Sequence, residues 1–379
     1  MKRPPEVFFF DERKRFDVMG GFEKLFEEAG LASLISRGDS VAVKVHMGEL
    51  GNTTHIRPQF VAKIVELVKA AGGKPFITDT TTIYPGERFT ASAYLKTAAI
   101  NGFTRQGLKA PIIIADGEEG YDGKSFPIKK RIRGCRLKEV EVASALLEAD
   151  AVLIVSHVKG HLMTGFGGAI KNLAMGCTTK RSKTSQHAAH GLVLDASKCN
   201  RCFECVKACP YSVLKETAKG PPRRTASKCA YCLTCLFNCP VGAYKIERNG
   251  KEKFQVALAH AAAAVAEALP KGKTGYINFL QDITLYCDCS AAGPPVIENI
   301  GLLASLDPVA LDKASLDLMD KAKIIVDKAG VTPPDILGKL NGTNSLNQVE
   351  VASKLGLGKL EYRLIEVKTE AKELILEEE

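Results

Sequence analysis

The sequence contains no tryptophan, few aromatic residues (7%) and no apolar run of membrane-spanning length. A helix that crosses a bilayer needs about 20 consecutive apolar residues, so no membrane role is expected. The opening, MKRPPEVFFFDERKRF, offers only a short VFFF run before charges return, which is unlike a signal peptide. No basic cluster is interleaved with aromatics, so the net charge of +9 reads as lysines spread over solvated faces and excludes nucleic acid as the expected partner. That charge suits an acidic redox partner or a phosphorylated ligand. Also missing is the G-x4-G-K-S/T spacing of a P-loop. With 45% hydrophobic and 25% charged residues over 379 positions, a globular chain of two or three domains is expected.

Cysteine, by contrast, is plentiful. Of the twelve, eight fall in two runs, CNRCFECVKACP from Cys199 and CAYCLTCLFNCP from Cys229. Both read C-x2-C-x2-C-x3-C-P, the spacing of bacterial ferredoxins with two 4Fe-4S clusters, where the last Cys of each run ligates the other cluster. Cys199, Cys202, Cys205 and Cys239 are thus expected to hold one cluster, and Cys229, Cys232, Cys235 and Cys209 the second. The repeat extends beyond the ligands, since SKC opens both halves at Ser197 and Ser227 and Pro210 and Pro240 close them. Two residues between thiolates let one turn aim three sulfurs at three corners of a cubane, and the fourth must come from a distant segment. A pair of zinc ribbons would leave the third Cys and the trailing Cys-Pro of each run without a use, because zinc closes its shell with four ligands. Metal chemistry in a reducing, anaerobic or microaerobic cytoplasm is expected, not disulfides.

Around these runs the pattern is α/β with a mainly parallel sheet. Before them stand the strand candidates VAVKVH (41–46), PFITD (75–79), PIIIAD (111–116) and AVLIVSH (151–157). RPQFVAKIVELVKAAGG carries an apolar stripe of Phe60, Ile64, Leu67 and Val68, and TASAYLKTAAING is a second expected helix. KSFPIKKRIRGCRLKEVEVA reads as a polar hairpin or edge strands. After the runs, FQVALAHAAAAVAEALP is a helix stopped by Pro270, and TGYINFL and IENIGLLAS are strands. DPVALDKASLDLMDKA is a helix with Asp307 as N-cap and Pro308 at its first position. A short helical region, a strand YRLIEV and a charged terminal helix, KTEAKELILEEE, end the chain. The expected organisation is an α/β core over 1–190, a ferredoxin-like α+β insert over 191–249, the core resumed over 250–345, and a C-terminal strand and helix over 346–379.

Candidate site residues gather at strand ends. His46, Asp79, Asp116 and His157 each close a candidate strand, and ligands of open α/β sheets bind outside the carboxyl ends of strands. The loops GELGNTTHIRP and TTTIYPGER are long and rich in hydroxyls and amides. In HVKGHLMTGFGGAIKNLAMGC (157–177), Gly165, Gly167 and Gly168 precede a helix, so backbone N–H groups could receive an anion with Lys171 one turn in; close packing of helix on sheet is the alternative use of these glycines. The stretch TTKRSKTSQHAAHGLVLDASKC reads as a polar connector, in which His187 and His190 are either exposed loop residues or a proton carrier or ligand. Cys287 and Cys289 in CDC are candidate metal ligands or else inert thiols.

Taken together, VAVKVHMGELGNTTHIRP, HVKGHLMTGFGGAIKNLAMGC, the two cysteine runs, YINFLQDITLYCDC and GLLASLDPVALDKAS resemble the iron–sulfur members of domain of unknown function 362, from about Val41 to Leu318. The resemblance implies an α/β core with an inserted two-cluster ferredoxin unit and brings no settled reaction. More distantly, HLMTGFGGAIK is similar to the stretch around the cofactor-bearing lysine of nickel-dependent lactate racemase. That resemblance implies a nickel-pincer nucleotide bonded to Lys171, His187 as a nickel ligand and Arg57, in IRP, as an anion-binding residue. The racemase has no ferredoxin insert, and the acidic residue before its Thr-Arg-Pro is absent here, where Asn52 to His55 stand, so only the cleft is carried over.

The expected function is a cytoplasmic iron–sulfur redox protein, passing electrons through two 4Fe-4S clusters to or from a substrate or cofactor site on the core. His46, His157, His161 and Lys171 are the candidate catalytic groups, and Arg57, Gly165, Gly167, Gly168 and Lys171 the candidate cofactor-binding ones. His187, Cys287 and Cys289 are candidate ligands of a further metal. The partner is a redox protein or a small-molecule substrate. A racemase- or isomerase-like enzyme with a metal or nucleotide cofactor near Lys171, and a non-catalytic electron carrier or maturation partner, are the alternatives.

Overall fold

The computed structural model describes residues 3–14, 17–326 and 330–368. Its apolar strand segments assemble into one eight-stranded sheet in the order Arg363–Glu366, Glu6–Asp11, Gly301–Ser305, Thr274–Leu280, Ala151–His157, Ser40–Val45, Lys74–Asp79 and Ile112–Ile114. Gly301–Ser305 runs antiparallel to both neighbours, and every other neighbouring pair is parallel. Such a sheet is covered on both faces, so its inner strands read as unbroken apolar runs; Ala151–His157 is buried along its whole length.

The two-residue period of a strand divides these apolar side chains between two cores. Val41, Val43, Val45, Leu153 and Val155 pack with helices Val18–Glu28, Pro58–Ala70 and Ala91–Ile100 on one face. Ala42, Val152 and Ile154 pack with helices Ala169–Gly176, Gly250–Ala268 and Pro308–Met319 on the other. The last of these begins as its sequence requires, with the Asp307 carboxylate accepting from the N–H groups of Val309 and Ala310 and Pro308 at the first position. The expected hairpin forms from Gly123–Pro127 and Glu139–Ala143.

Two local expectations change, and a third lies outside the described residues. IENIGLLAS is not one strand: Pro295–Ile297 pairs outside the main sheet with Ile283–Thr284, and only Gly301–Ser305 enters it. The opening VFFF lies in a sheet strand, Glu6–Asp11, and YRLIEV supplies its parallel neighbour Arg363–Glu366. Residues 178–190, read as a connector, contain the helix Lys180–Ala188, in which Lys180, Ser182, Lys183 and Gln186 are buried. Polar composition misleads there because a cavity and a carboxylate, not solvent, receive the side chains. The charged terminal helix expected over KTEAKELILEEE lies outside the described residues from 369 onward.

The two cysteine runs lie between the adjacent sheet strands Ala151–His157 and Thr274–Leu280. Two small ribbons frame them, Val193–Leu194 with Tyr244–Lys245 and Leu214–Lys215 with Arg223–Arg224, and each run holds a one-turn helix, Glu204–Lys207 and Thr234–Phe237. Among the described residues no helix is long and apolar enough to cross a membrane.

Candidate functional site

Strands Ser40–Val45, Lys74–Asp79 and Ala151–His157 deliver His46, Asp79 and His157 to the wall of a cavity of about 840 Å³. The fourth expected residue, Asp116, stands behind that wall. It accepts from the N–H (2.9 Å) and hydroxyl (2.8 Å) of Thr81 and lies 3.6 Å from Lys183 Nζ, which does reach the cavity. Of the two polar loops, the second lines the cavity through Thr80, Thr81, Thr82, Ile83, Tyr84 and Arg88. The first supports it from outside, since Glu49 pairs with Arg88 at 3.1 Å.

Cations dominate the polar part of the wall: Lys44, Arg88, Lys159, Lys171 and Lys183. A buried charge is tolerated only when paired, and most of these are. Lys44, 1% exposed, bonds Asp79 at 2.8 Å, and Lys159 bonds Asp288 at 2.6 Å. Burial pushes the pKa of Lys183 down, opposed by Asp116. Lys171 has no carboxylate within ion-pair distance among the described residues. It is the cation left over for a ligand.

The histidines differ in what they can do. His157 Nε2 donates to the Gln281 carbonyl (2.7 Å) and its Nδ1 faces Asp288 (2.9 Å), so both nitrogens are committed and the expected acid–base role has no free atom to act through. His46 Nδ1 accepts from Gly48 N–H (3.0 Å), which leaves the proton on Nε2, 3.7 Å from Cys289 Sγ. His161 Nδ1 likewise accepts from Met163 N–H (3.2 Å). Burial, with Arg88 beside His46 and Lys171 beside His161, lowers both pKa values. His187 is pushed down to about 3 by burial, then by His190 and Lys171; its ring lies 4.9 Å from that of Phe254 and its buried Nδ1 has no partner. His190 is not an exposed loop residue: it is fully buried between the carbonyls of Gly191 and Tyr231 and ties the Lys180–Ala188 helix to the second cysteine run.

Cys287, Asp288 and Cys289 form a clamped turn. Asp288 is fully buried and gripped by His157 and Lys159, which hold its carboxyl far below the usual range against the effect of burial. Its carbonyl accepts from Glu49 N–H (2.9 Å). With the middle residue anchored away from it, both cysteines line the cavity. The two neighbouring thiols push each other apart in pKa, Cys287 raised and Cys289 lowered, the latter helped by Arg88 and His46. No third His, Cys, Asp or Glu completes a mononuclear metal set with them among the described residues.

The glycine loop serves packing. The first two N–H groups of the Ala169–Gly176 helix are taken by buried Asp312, from Ala169 at 2.7 Å and Ile170 at 2.9 Å, so they are closed to the anion expected there. A Cβ on Gly168 would meet Asp312 Oδ1 at 2.3 Å, and one on Gly165 (φ +76) would meet Ser345 Oγ at 2.2 Å. Gly167 is bare for another reason, because the stem of Lys171 lies across it, with Cδ 2.8 Å from where a Cβ would stand. Arg57, the other expected anion ligand, is off the cavity: it starts the Pro58–Ala70 helix, half-exposed, and pairs with Asp282 at 2.7 Å.

All eight cysteines of the repeat are described, and among the described residues no three of them are placed so as to hold a metal ion. Cys205, its pKa raised by burial, has Cys239, Cys202 and Cys199 as charge neighbours; Cys235, pushed up to about 12 by burial, has Cys232 and Cys229, then Cys205 of the other run, then Cys209. Cys209, Cys229, Cys232 and Cys235 line a small internal cavity of about 20 Å³ together with Leu192, Val213 and Leu233. Sulfur acceptors are already served, by Tyr231 N–H on Cys229 (3.4 Å) and Ala243 N–H on Cys239 (3.2 Å). Arg201 and Phe203, and at matching places Tyr231 and Leu233, adopt left-handed backbone. Such strain costs of order 1–3 kcal/mol per residue and persists only where surroundings fix it. The donor type, apolar lining and repeated turn geometry are the features a 4Fe-4S cluster would require of this unit. Cys232, Leu233, Thr234, Phe237 and Asn238 also form part of the wall of the 840 Å³ cavity. Lys159, Lys183, Arg88, Tyr84 and Phe254 join that wall without having been legible as site residues. An i, i+4 spacing of Lys183 and His187 was the available signal.

Comparison with known proteins places these features in context. The family described as domain of unknown function (DUF362) matches residues 41–317. The thylakoid-associated protein sll1697 of Synechocystis is 26% identical over 168 residues, 43% of this chain and 46% of its own length, so the match spans less than half of that relative. Among solved structures, a Thermotoga maritima protein is 12% identical with a TM-score of 0.37 over 72% of this chain and 52% of its own. The lactate racemase apoprotein of Thermoanaerobacterium thermosaccharolyticum is 12% identical with a TM-score of 0.38 over 97% and 83%. Likeness at that level establishes neither a common fold nor a common chemistry.

Proposed function

This chain belongs to the DUF362 family, and from that premise we propose that it is an iron–sulfur redox protein whose inserted ferredoxin-like unit carries electrons to or from a ligand in the sheet-end cavity. Cys199, Cys202, Cys205 and Cys239 would hold one 4Fe-4S cluster and Cys209, Cys229, Cys232 and Cys235 the other, supplying one-electron chemistry when bound. The observation that carries this reading is that Cys232 and its neighbours are part of the cavity wall. Cys202 is exposed, which offers the first cluster to an outside redox partner. The chain's own groups do the rest: Lys171 meets negative charge on the ligand, Lys44 and Lys159 neutralise Asp79 and Asp288 at the wall, and His46 and His161 present neutral rings for proton transfer. Phe237, Phe254, Leu233 and Met163 supply an apolar surface that excludes water.

Anaerobic purification with iron and sulfide assay and electron paramagnetic resonance tests the reading. We expect about eight iron atoms per chain, and about half of that with loss of one paramagnetic signal in Cys232→Ser. Full iron in that variant would sink the assignment. A second reading, an isomerase-type enzyme with a nucleotide bonded to Lys171, is favoured by the absence of a carboxylate partner for that lysine; added mass on the denatured chain of the same preparation would decide for it.

A further inference from the structure

Cys287 and Cys289 are not used by the cluster reading, yet the surroundings of Cys289 suit a sulfur anion. Its sulfur lies 3.7 Å from the protonated His46 Nε2, Cys287, Tyr84 and Arg88 line the same cavity, and Arg88 and His46 favour its anionic form. Arg88 is itself fixed by Glu49 (3.1 Å) and by the Tyr84 oxygen (2.6 Å). The anchored Asp288 between the two cysteines keeps both on the cavity side. A disulfide between them requires the sulfurs to close to about 2.05 Å. Across the same cavity stands the wall formed by Cys232 to Asn238, and beside it Lys171 offers an unmatched positive charge.

We propose that Cys287 and Cys289 form a dithiol–disulfide couple that reduces a small anionic disulfide bound in the cavity and is itself reduced from the cluster side. The thiolate of Cys289 attacks one ligand sulfur, the ligand S–S bond breaks, and the first thiolate leaves and takes a proton from solvent. Cys287 then attacks Cys289 in the mixed disulfide, its proton going to the second leaving thiolate. The products are two ligand thiols and the Cys287–Cys289 disulfide. That disulfide returns to a thiol and a thiolate on taking up one proton and two electrons, which clusters held by the eight cysteines of the repeat would supply singly. The couple thus converts single-electron supply into two-electron chemistry. This last step rests on the proposed function, whereas the exchange with the ligand does not.

The wild-type chain, purified anaerobically, is equilibrated with mixtures of reduced and oxidised glutathione, quenched in acid, alkylated and mapped by mass spectrometry. We expect Cys287 and Cys289 to lose alkylation together and their peptide to lose two hydrogens. Cystamine, a cationic disulfide, is expected to oxidise the pair more slowly than oxidised glutathione. Reduced methyl viologen, a one-electron donor, should reopen the disulfide in the wild type and fail to do so in Cys232→Ser. Alkylation of either thiol at every glutathione ratio overturns the couple. Equal or faster oxidation by cystamine overturns the anionic ligand, and equal reopening in Cys232→Ser overturns reduction through the clusters. Failure of the cluster reading is seen separately, as absence of iron in the wild-type preparation.

Discussion

Asp288 lies between two cysteines and touches neither function directly, yet the turn depends on it. Its buried carboxylate satisfies His157 at 2.9 Å and Lys159 at 2.6 Å, and removing one member of a buried ionic cluster costs about 3–5 kcal/mol because the others are left unpaired. Asp288→Ala is therefore expected to lower stability by about that amount in chemical denaturation; a loss below about 1 kcal/mol would show that the clamp is not structural. At this scale the sequence identified residue types better than roles. His46 and His157 close neighbouring strands alike, but a carbonyl and a carboxylate occupy both nitrogens of His157, while Gly48 leaves the Nε2 proton of His46 aimed at Cys289. Those partners come from segments more than a hundred residues away for His157 and two residues away for His46, and nothing in local spacing distinguishes the cases.

The Ala169–Gly176 helix shows the same limit for a whole element. Its glycines predict a close approach, correctly, but what approaches is the Asp312 carboxylate at Gly168 and the Lys171 stem at Gly167. The two positions should respond differently to a methyl group. Gly168→Ala must displace a carboxylate that caps the helix and is expected to cost about 2 kcal/mol or more. Gly167→Ala meets only a flexible side chain, so it should cost less than about 1 kcal/mol while moving Lys171. Urea unfolding of both variants checks this, and equal losses would refute the assignment of the two glycines to different neighbours. The Lys180–Ala188 helix was illegible for a related reason, since Lys180, Lys183 and Gln186 read as solvated although they face a carboxylate, carbonyls and the cavity.

For the whole molecule, the insertion point of the cysteine repeat determines what the cavity contains. Leaving the sheet after Ala151–His157 and returning at its neighbour Thr274–Leu280 brings Cys232 to Asn238 against the strand ends. The enclosure also neutralises histidines. His187, pushed down to about 3 by burial, stays neutral in the fold while the unfolded chain takes up a proton below the usual 6.5. Its contribution to stability is therefore complete above pH 6.5 and is lost as pH falls towards 3, at about 1.4 kcal/mol per pH unit. Between about pH 7.5 and 5.5, His187→Gln should lose about 1 kcal/mol less stability than the wild type in anaerobic thermal unfolding. The same loss in both would place His187 in contact with solvent.

By itself the sequence determined the α/β strand and helix pattern and three of the four strand ends that meet in the cavity, because periodicity and caps are local. Only the tertiary structure decided that Asp312 closes the helix terminus, that Arg57 stays outside, that Lys171 lacks a carboxylate partner among the described residues and that Cys287 and Cys289 line the same cavity as Cys232. Burial and charge pairing are set by groups distant in the chain, and a cavity is a property of everything that surrounds it.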